Sequence, residues 1–121
     1  MSYDAGLLDW IEESLAPIGE ITSRSMMGGK VLYCDGTVFA ILTQDELWFK
    51  SDVESDAAWD DAGCERFTYT FRDGHTGTMN YRRAPSDVHD DPDEMRRWAA
   101  LALEAGRRAP VKKPRKSRKK G

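Results

Sequence analysis

The first segment of this chain that could do chemistry is Gly28-Gly29-Lys30, because glycine-rich loops ending in lysine bind phosphate in many nucleotide-binding proteins. Such a loop needs a glycine five residues before the second glycine, a Ser or Thr after the lysine, and a helix that begins on the phosphate. Here Arg24 occupies the first of these positions, Val31 follows the lysine, and a strand-like pattern comes next. We therefore interpret Gly28-Gly29 as a turn between strands and predict no nucleotide cofactor.

The side chains that could act as nucleophile, base or metal ligand are scattered along the sequence. His75 lies in a glycine-rich segment and His89 precedes the last predicted helix, so we interpret both as solvated loop residues. Cys34 has no basic neighbour in the sequence that would lower its pKa. The segment DVHDDPDE, residues 87–94, has the composition of a cation site, but the start of a helix explains its carboxylates equally well. We predict no catalytic residue, no cofactor and no metal.

The composition is typical of one globular domain. The chain has 121 residues, of which 40% are hydrophobic, and no apolar run approaches the roughly 18 residues of a membrane span. The N-terminal segment MSYDAGLLDWIEE carries acids where a secretion signal would carry lysines. Cys34 and Cys64 lack the spacing of a metal or redox motif, and we expect two free thiols in a reducing cytoplasm, with a disulfide as the alternative.

Charge is distributed unevenly along the chain. The net charge is −3, but residues 107–121 carry nine of the 18 Lys and Arg and no acid, which leaves a net charge of −12 on residues 1–106. A cationic segment attracts phosphate backbones by counterion release, and nothing in this one can read base edges, so we predict non-specific nucleic-acid binding. Interaction with the acidic body, a role in solubility and contact with an anionic membrane remain alternatives. The predicted nucleic-acid-binding residues are Arg107, Arg108, Lys112, Lys113, Arg115, Lys116, Arg118, Lys119 and Lys120.

Three segments have the pattern of helices. Residues 4–16 carry apolar residues at helical spacing, with Asp4 as the predicted N-cap, and Pro17 and Gly19 after them. Residues 51–63 have the pattern of a short acidic helix, with a capping box at Ser51 and Glu54 and a terminal Gly63. Its predicted inner contacts are Val53, Ala57 and Trp59. The last helix is predicted to begin at Asp91-Pro92 and to end at Gly106. Its apolar stripe comprises Met95, Trp98, Leu101, Ala102 and Ala105.

The other segments have the pattern of strands joined by tight turns. Residues 21–50 form up to four short β-rich runs separated by Gly28-Gly29, Asp35-Gly36 and TQDE, and residues 66–84 form a second hairpin around DGHTG. The predicted order is helix, three or four strands, helix, two strands, helix. We therefore predict an α+β two-layer sandwich, with helices packed on an antiparallel sheet made of a meander and a hairpin.

Two groups of residues are candidates for contact with a partner. Arg24 can pair with an internal carboxylate or present its charge to a partner, and Met26 and Met27 have side chains that adapt to varied surfaces. Ordinary strand packing is the alternative. The two arginines that follow Tyr81 can contact nucleic acid while the tyrosine stacks on a base, the alternative being a solvated strand end.

The segment RSMMGGKVLYCDGTVFAIL, residues 24–42, resembles the N-terminal domain of the TfoX/Sxy family, whose members typically show Arg-x-Met-Phe-Gly-Gly, an aliphatic–aromatic pair, a small-Gly turn and Phe-Ala-Leu. LWFK, AGCERFTY, MNYRRAP and DDPDEMRRWAALAL resemble the family's later blocks in the same order, so the resemblance covers residues 3–108. Met27 stands where the family usually has Phe, and Val31 often stands in place of Gly. The matching positions are Arg24, Met26, Gly28, Gly29, Leu32, Tyr33, Asp35, Gly36, Phe39 and Ala40.

The resemblance implies a two-layer α/β sandwich of the secretion-chaperone type, a fold that often dimerises. The family's long members are bacterial regulators that join this domain to a C-terminal helical domain and act with a transcription activator at competence promoters. Because the chain ends before such a second domain, we expect a stand-alone short member. The family motif supplies our candidate interaction residues, which are Arg24, Met26, Met27, Gly28, Gly29 and Tyr33.

Together these observations predict a non-enzymatic regulatory or adaptor domain in the cytoplasm. Residues 1–108 form the folded body, which contacts a protein partner, such as the transcription machinery, or a second copy of itself. Residues 109–121 form a disordered basic tail that supplies non-specific nucleic-acid affinity, with no role for a membrane. The alternatives are a small nucleic-acid-modifying enzyme that uses Cys34 or the acidic loop, and a protein-interaction module whose tail is idle.

Overall fold

The computed structural model describes residues 5–26, 29–43, 46–70 and 72–109, and its elements follow the predicted order. These ranges contain α1 (Ala5–Leu15), β1 (Ile21–Met26), β2 (Gly29–Cys34), β3 (Thr37–Thr43), β4 (Glu46–Lys50), α2 (Asp56–Asp61), β5 (Arg66–Thr70), β6 (Thr76–Arg83) and α3 (Pro92–Arg108). Short 3-10 helices lie at Ala16–Ile18 and Ser86–His89.

The six strands form one sheet in the order β1-β2-β3-β4-β6-β5, and every neighbouring pair is antiparallel. The first four strands are a meander, and the β5–β6 hairpin joins it through β6, which pairs with β4. The predicted α+β class, the strand pattern and the element order are therefore confirmed. The likeness to secretion chaperones stays a prediction.

One face of the sheet is covered by the helices. Helix α3 lies on β3 and β4, and α1 packs against α3. A row of aromatic rings crosses this layer: Phe49 lies beside both Phe39 and Trp59, and the ring centroids of Trp59 and Trp98 of α3 are 4.8 Å apart. These rings belong to the main hydrophobic core, which also includes buried residues of α1 such as Ile11.

The opposite face of the sheet carries a second, smaller apolar cluster. Ile41, Trp48 and Tyr81 are its buried members, and Val31 and Phe67 pack against them. The buried apolar residues of all three described helices belong to the other cluster, so no helix in the described ranges covers this face. We call it the uncovered face. Side chains at alternate strand positions therefore reach the surface there.

The Asp35-Gly36 turn between β2 and β3 is confirmed. Both residues have positive φ, 49° and 86°, as a tight hairpin turn requires. The Asp35 carboxylate also accepts a hydrogen bond from the backbone N–H of Glu20 at 3.0 Å, and the Asp35 N–H donates to the Glu20 carbonyl at 2.9 Å. The turn is thereby fixed to the segment that leads into β1.

The interpretation of Gly28-Gly29 as a turn is wrong for Gly29, which is the first residue of β2 and pairs with Met26. Gly28 lies outside the described residues. A Cβ atom at position 29 would lie 2.5 Å from the carbonyl oxygen of Leu42 and 3.0 Å from Cβ of Thr43. The glycine is therefore needed for the close approach of β3 and not for a turn.

Helix α1 has the predicted apolar face and ends as predicted. Ile11 and Leu15 are fully buried, and Leu7 and Leu8 pack against the core. The helix ends at Leu15 and tightens into the 3-10 turn that contains Pro17. Its predicted N-cap, Asp4, lies outside the described residues.

Helix α2 begins later than predicted, at Asp56, and a different pair of residues is hydrogen-bonded in the turn before it. Asp52 and Ser55 bond reciprocally: the N–H of Ser55 donates to the Asp52 carboxylate, and the N–H of Asp52 donates to the Ser55 hydroxyl, each at 3.0 Å. The predicted capping box at Ser51 and Glu54 is therefore wrong. Ser51 is instead buried, and its hydroxyl oxygen has no hydrogen-bond partner among the described residues.

The predicted inner face of α2 is correct at one position only. Trp59 is fully buried, whereas Val53 is 89% exposed and Ala57 is also exposed. The shift in the helix start explains the error, because Val53 now precedes the helix, which begins at Asp56. The helix does end as predicted, with Gly63 at a φ of 73° just beyond the C-cap.

Helix α3 begins as predicted and ends later. The Asp91 carboxylate accepts hydrogen bonds from the N–H groups of Asp93 at 3.0 Å and Glu94 at 3.4 Å, so it is the N-cap. Gly106 does not end the helix, which continues to Arg108. A Cβ atom at position 106 would overlap the carbonyl oxygen of Val38, so this glycine permits α3 to cross β3 closely.

Candidate binding surfaces

The basic segment begins inside the last turn of α3. Arg107 is exposed there, and Arg108 forms a two-point ion pair with Asp52: Nε donates to Oδ2 at 2.7 Å and Nη2 donates to Oδ1 at 2.9 Å. Glu54 and Glu104 lie 3.5 Å and 3.9 Å from the same guanidinium. The second cation of the segment therefore already contacts the acidic body. The other predicted nucleic-acid contacts, from Lys112 onward, lie outside the described residues.

The ion pair has a measurable signature in the titration of Asp52. The side-chain hydrogen bond from Arg108 is the main cause that lowers the pKa of Asp52 from its usual 3.8 to about 2, against an opposing effect of burial. Because the folded-state pKa lies below the unfolded value, the pair stabilises the fold above about pH 4. Its contribution is lost as the pH falls toward 2.

We predict that Arg108→Gln raises the pKa of Asp52 back toward its usual value, because the main hydrogen-bond donor is removed while the Ser55 bonds remain. The variant should be less stable than the parent at pH 7, and the difference should shrink between pH 4 and pH 2. Carboxyl NMR titration and urea unfolding at several pH values measure both quantities. A stability difference that stays constant from pH 7 to pH 3 would contradict the assignment.

The family-motif residues fall in different places, and the structure describes only some of them. Arg24 is exposed on the edge strand β1, opposite Val31, and Tyr33 is half-buried on β2. Because Val31 and Tyr33 are two residues apart on one strand, Arg24 and Tyr33 share the uncovered face. The side chain of Met26, together with Met27 and Gly28, lies outside the described residues. A continuous motif surface therefore stays a prediction.

A groove of about 950 Å³ lies where the uncovered face meets the end of α3. Four strands, β2, β3, β4 and β6, contribute its walls on the sheet side, and Arg107 and Ala109 close it on the helix side. Lys50 lies over the Tyr81 ring, with Nζ 5.1 Å from the ring centroid. Burial is the main cause that raises the pKa of Tyr81, and neighbouring Tyr33 adds to it. The lining residues are Tyr33, Gly36, Thr37, Val38, Lys50, Met79, Tyr81, Gly106, Arg107 and Ala109.

Sequence reasoning missed this groove because its walls come from four separate segments of the chain. The signal that could have pointed to it is period-two alternation. Met79 and Tyr81 are two residues apart on β6, and Lys50 is directly opposite Tyr81 on β4. That signal becomes visible only once the pairing of β4 with β6 is known.

The two arginines after Tyr81 have different environments. Arg82 is buried on the helix side, where its guanidinium donates to Asp60 at 2.8 Å, to the Cys64 carbonyl at 2.9 Å and to Asp56 at 3.2 Å. The hypothesis that Arg82 contacts nucleic acid is therefore wrong, because this side chain holds α2 to β6.

Arg83 is on the uncovered face and is half-exposed. It pairs with Glu46 at 3.4 Å and Glu65 at 3.1 Å, and its guanidinium carbon lies 5.3 Å from the Trp48 ring centroid. Two carboxylates therefore neutralise this cation. The main role of Arg83 is therefore to cover the apolar cluster, and not to offer a charge to a partner.

The candidate catalytic side chains do not come together. Cys34 and Cys64 are buried free thiols, as predicted, and burial raises the pKa of both, which disfavours the thiolate. His75 is exposed in a hairpin tip and contacts Asp73, while His89 is exposed at the end of a 3-10 helix. Among the described residues, no three His, Cys, Asp or Glu side chains are placed to hold a metal ion.

The helices of the described ranges include none that is both long enough and apolar enough to cross a membrane. The fold and its surfaces define the class as an α+β domain with an antiparallel six-stranded sheet, one face covered by helices and one face uncovered. The chain belongs to the TfoX N-terminal domain family, whose model matches residues 13–106. The predicted family is therefore confirmed.

One similar protein is the DNA transformation protein TfoX1 of Aliivibrio fischeri (strain ATCC 700601 / ES114). The two sequences are 33% identical over 64 residues, which cover 53% of this chain and 30% of the relative. The similarity thus spans less than a third of the relative's length.

Proposed function

We propose that this protein is a non-enzymatic regulatory or adaptor domain. Its folded body contacts a protein partner, and its C-terminal basic segment supplies non-specific affinity for nucleic acid. The observation that carries the proposal is the separation of charge: nine cations and no acid in residues 107–121, against a net charge of −12 in residues 1–106. Such a segment binds phosphate backbones by releasing condensed counterions.

Family membership supports a role in the regulation of competence or transcription. The relative from Aliivibrio fischeri is named as a DNA transformation protein. The regulatory role of the family's long members is the basis for proposing a role in competence for this chain as well. In this proposal the domain works in the cytoplasm. Its partner belongs to the transcription machinery, and the domain forms a homodimer. Sedimentation equilibrium tests for the dimer. A monomeric mass at every protein concentration would rule it out.

The acidic body shapes how the basic segment works. Because Arg108 is held by Asp52, with Glu54 and Glu104 close by, the contacts to phosphate fall to Arg107 and to the seven cations that follow residue 109. The acidic surface around Asp52 also competes with phosphate for those cations, most strongly at low salt. The affinity for nucleic acid should therefore be modest.

A truncation tests the proposal directly. A chain that ends at Ala109 keeps every described residue and loses seven of the nine cations. We expect at least tenfold weaker binding to a fluorescein-labelled duplex DNA in fluorescence anisotropy at low salt. The matched control keeps residues 110–121 and replaces their seven cations by Gln, and it should bind as weakly as the truncated chain. Equal binding by the full and truncated chains would contradict the proposal.

A further inference from the structure

The groove at the end of α3 differs in charge from the rest of the body. Among the described residues its lining includes two cations, Lys50 and Arg107, and no carboxylate, although residues 1–106 carry a net charge of −12. Asp35 is the acid nearest to the groove in sequence, and its carboxylate is bound by the backbone N–H of Glu20. The groove therefore favours an anionic ligand.

The uncharged part of the lining selects for a flat, unsaturated group. Half-buried Tyr33 supplies a phenol ring, and Val38 and Met79 supply apolar surface, whereas Tyr81 is buried beneath Lys50. Aromatic side chains stack on nucleic-acid bases without regard to sequence, because every base has a π face. The volume of about 950 Å³ lies within the range of small-molecule sites. A phenol ring in a groove that also contains two cations matches a base joined to its phosphates.

The groove is also adjacent to the start of the basic segment. Ala109 is one of its lining residues, and Lys112 follows only three residues later, within about 11 Å along a fully extended chain. A nucleic-acid strand bound by the basic segment would therefore pass close to the groove. Only an unpaired strand could place a base inside it, since the bases of a duplex are stacked and paired.

We propose that this groove binds an unpaired nucleotide, with its base against Tyr33 and its phosphates on Lys50 and Arg107. The inference rests on the proposed function for the contacts of the basic segment, and it adds a site on the folded body. Together they give the protein a preference for single-stranded over double-stranded nucleic acid.

The test compares groove variants of the full chain by anisotropy, with labelled single-stranded oligo-dT and with a duplex of the same length. Tyr33→Ala should weaken single-strand binding about fivefold or more, the usual effect of removing one stacking ring, and should leave duplex binding within about twofold. Tyr33→Leu removes the ring but keeps the apolar bulk, and it should also weaken single-strand binding. The leucine variant therefore tests the inference even if the alanine variant has a folding defect. Circular dichroism checks each fold.

Lys50→Gln tests the charge of the groove against a matched control. Arg97→Gln removes one exposed cation from α3, ten residues and about 15 Å from Arg107, outside the groove. We expect Lys50→Gln to weaken single-strand binding several-fold more than Arg97→Gln does. Equal losses in the two variants would overturn the inference.

Other outcomes separate this inference from the proposed function. If the full chain binds both nucleic acids and the Tyr33 variants bind them like the parent, the groove is not a nucleotide site and the proposed function stands. If polyglutamate competes as well as oligo-dT of equal charge, the groove is an acidic-peptide site and the inference fails. If the full chain binds neither nucleic acid, both fail.

Discussion

Replacing Trp59 by Ala should lower the free energy of unfolding by about 3–5 kcal/mol, the usual cost of removing a large aromatic side chain from a core. Trp59 is fully buried, and its ring centroid lies 4.8 Å from that of Trp98 on α3 and 5.7 Å from that of Phe49 in the sheet. It thereby joins the short helix α2 to the two larger elements. A loss of this size is a large part of the roughly 5–15 kcal/mol that stabilises a typical domain.

Urea unfolding followed by circular dichroism measures this change. The matched control is Val53→Ala, which removes apolar atoms from the same segment at a position that is 89% exposed, and it should change stability by less than about 0.5 kcal/mol. Trp59→Phe keeps one ring and should cost less than Trp59→Ala. Similar losses for Val53→Ala and Trp59→Ala would contradict the packing described for α2.

Gly106→Ala is the second change for which we expect a large effect. Alanine normally stabilises a helix relative to glycine by roughly 0.5–1 kcal/mol. Here the added Cβ atom would overlap the carbonyl oxygen of Val38 and come within 2.9 Å of Cγ2 of Thr37, both on β3. Because one of these atoms is backbone, helix and sheet must separate, so we expect destabilisation by about 1–3 kcal/mol.

The control for this change is an exposed position on the same helix. Ala100→Leu adds more volume than Gly106→Ala but faces solvent, so the free energy of unfolding should change by less than about 0.5 kcal/mol. Thermal unfolding of both variants beside the parent makes the comparison. A Gly106→Ala protein that is more stable than the parent would show that α3 does not cross β3 as closely as described.

The features that the sequence predicted well depend on a few neighbouring residues. The cap at Asp91 and the turn at Asp35-Gly36 are set by local hydrogen bonds and by local φ preferences, and both have the predicted form. The six strands and their meander-plus-hairpin pattern follow from the alternation of apolar residues between tight turns. Local rules were therefore sufficient for the fold class.

The errors occur where distant residues decide between two local choices. Ser51 with Glu54, and Asp52 with Ser55, both have the spacing of a capping box. Only the second pair forms the reciprocal hydrogen bonds, and its Asp52 is held by Arg108, which lies 56 positions along the chain. Gly106 likewise has the residue type of a helix end, yet its role is set by contact with β3.

The candidate site was only partly predictable for the same reason. The nine cations of residues 107–121 are plain in the sequence, whereas the groove depends on β6 pairing with β4 and on α3 ending over β3. Tyr33 was named as a motif residue, but its neighbours Lys50 and Tyr81 come from other strands. Arg82 looked exposed beside Arg83 because strand alternation alone does not say which face is buried.

The measurement that tests the central claim most directly is the salt dependence of duplex DNA binding by the full chain. If the cations of residues 107–121 bind phosphates, log K should fall linearly with log salt concentration, with a slope of about −3 to −6. The chain that ends at Ala109 should show a slope near zero or no binding at all. A full chain that fails to bind at low salt, or that binds with a slope as shallow as that of the truncated chain, would contradict the account.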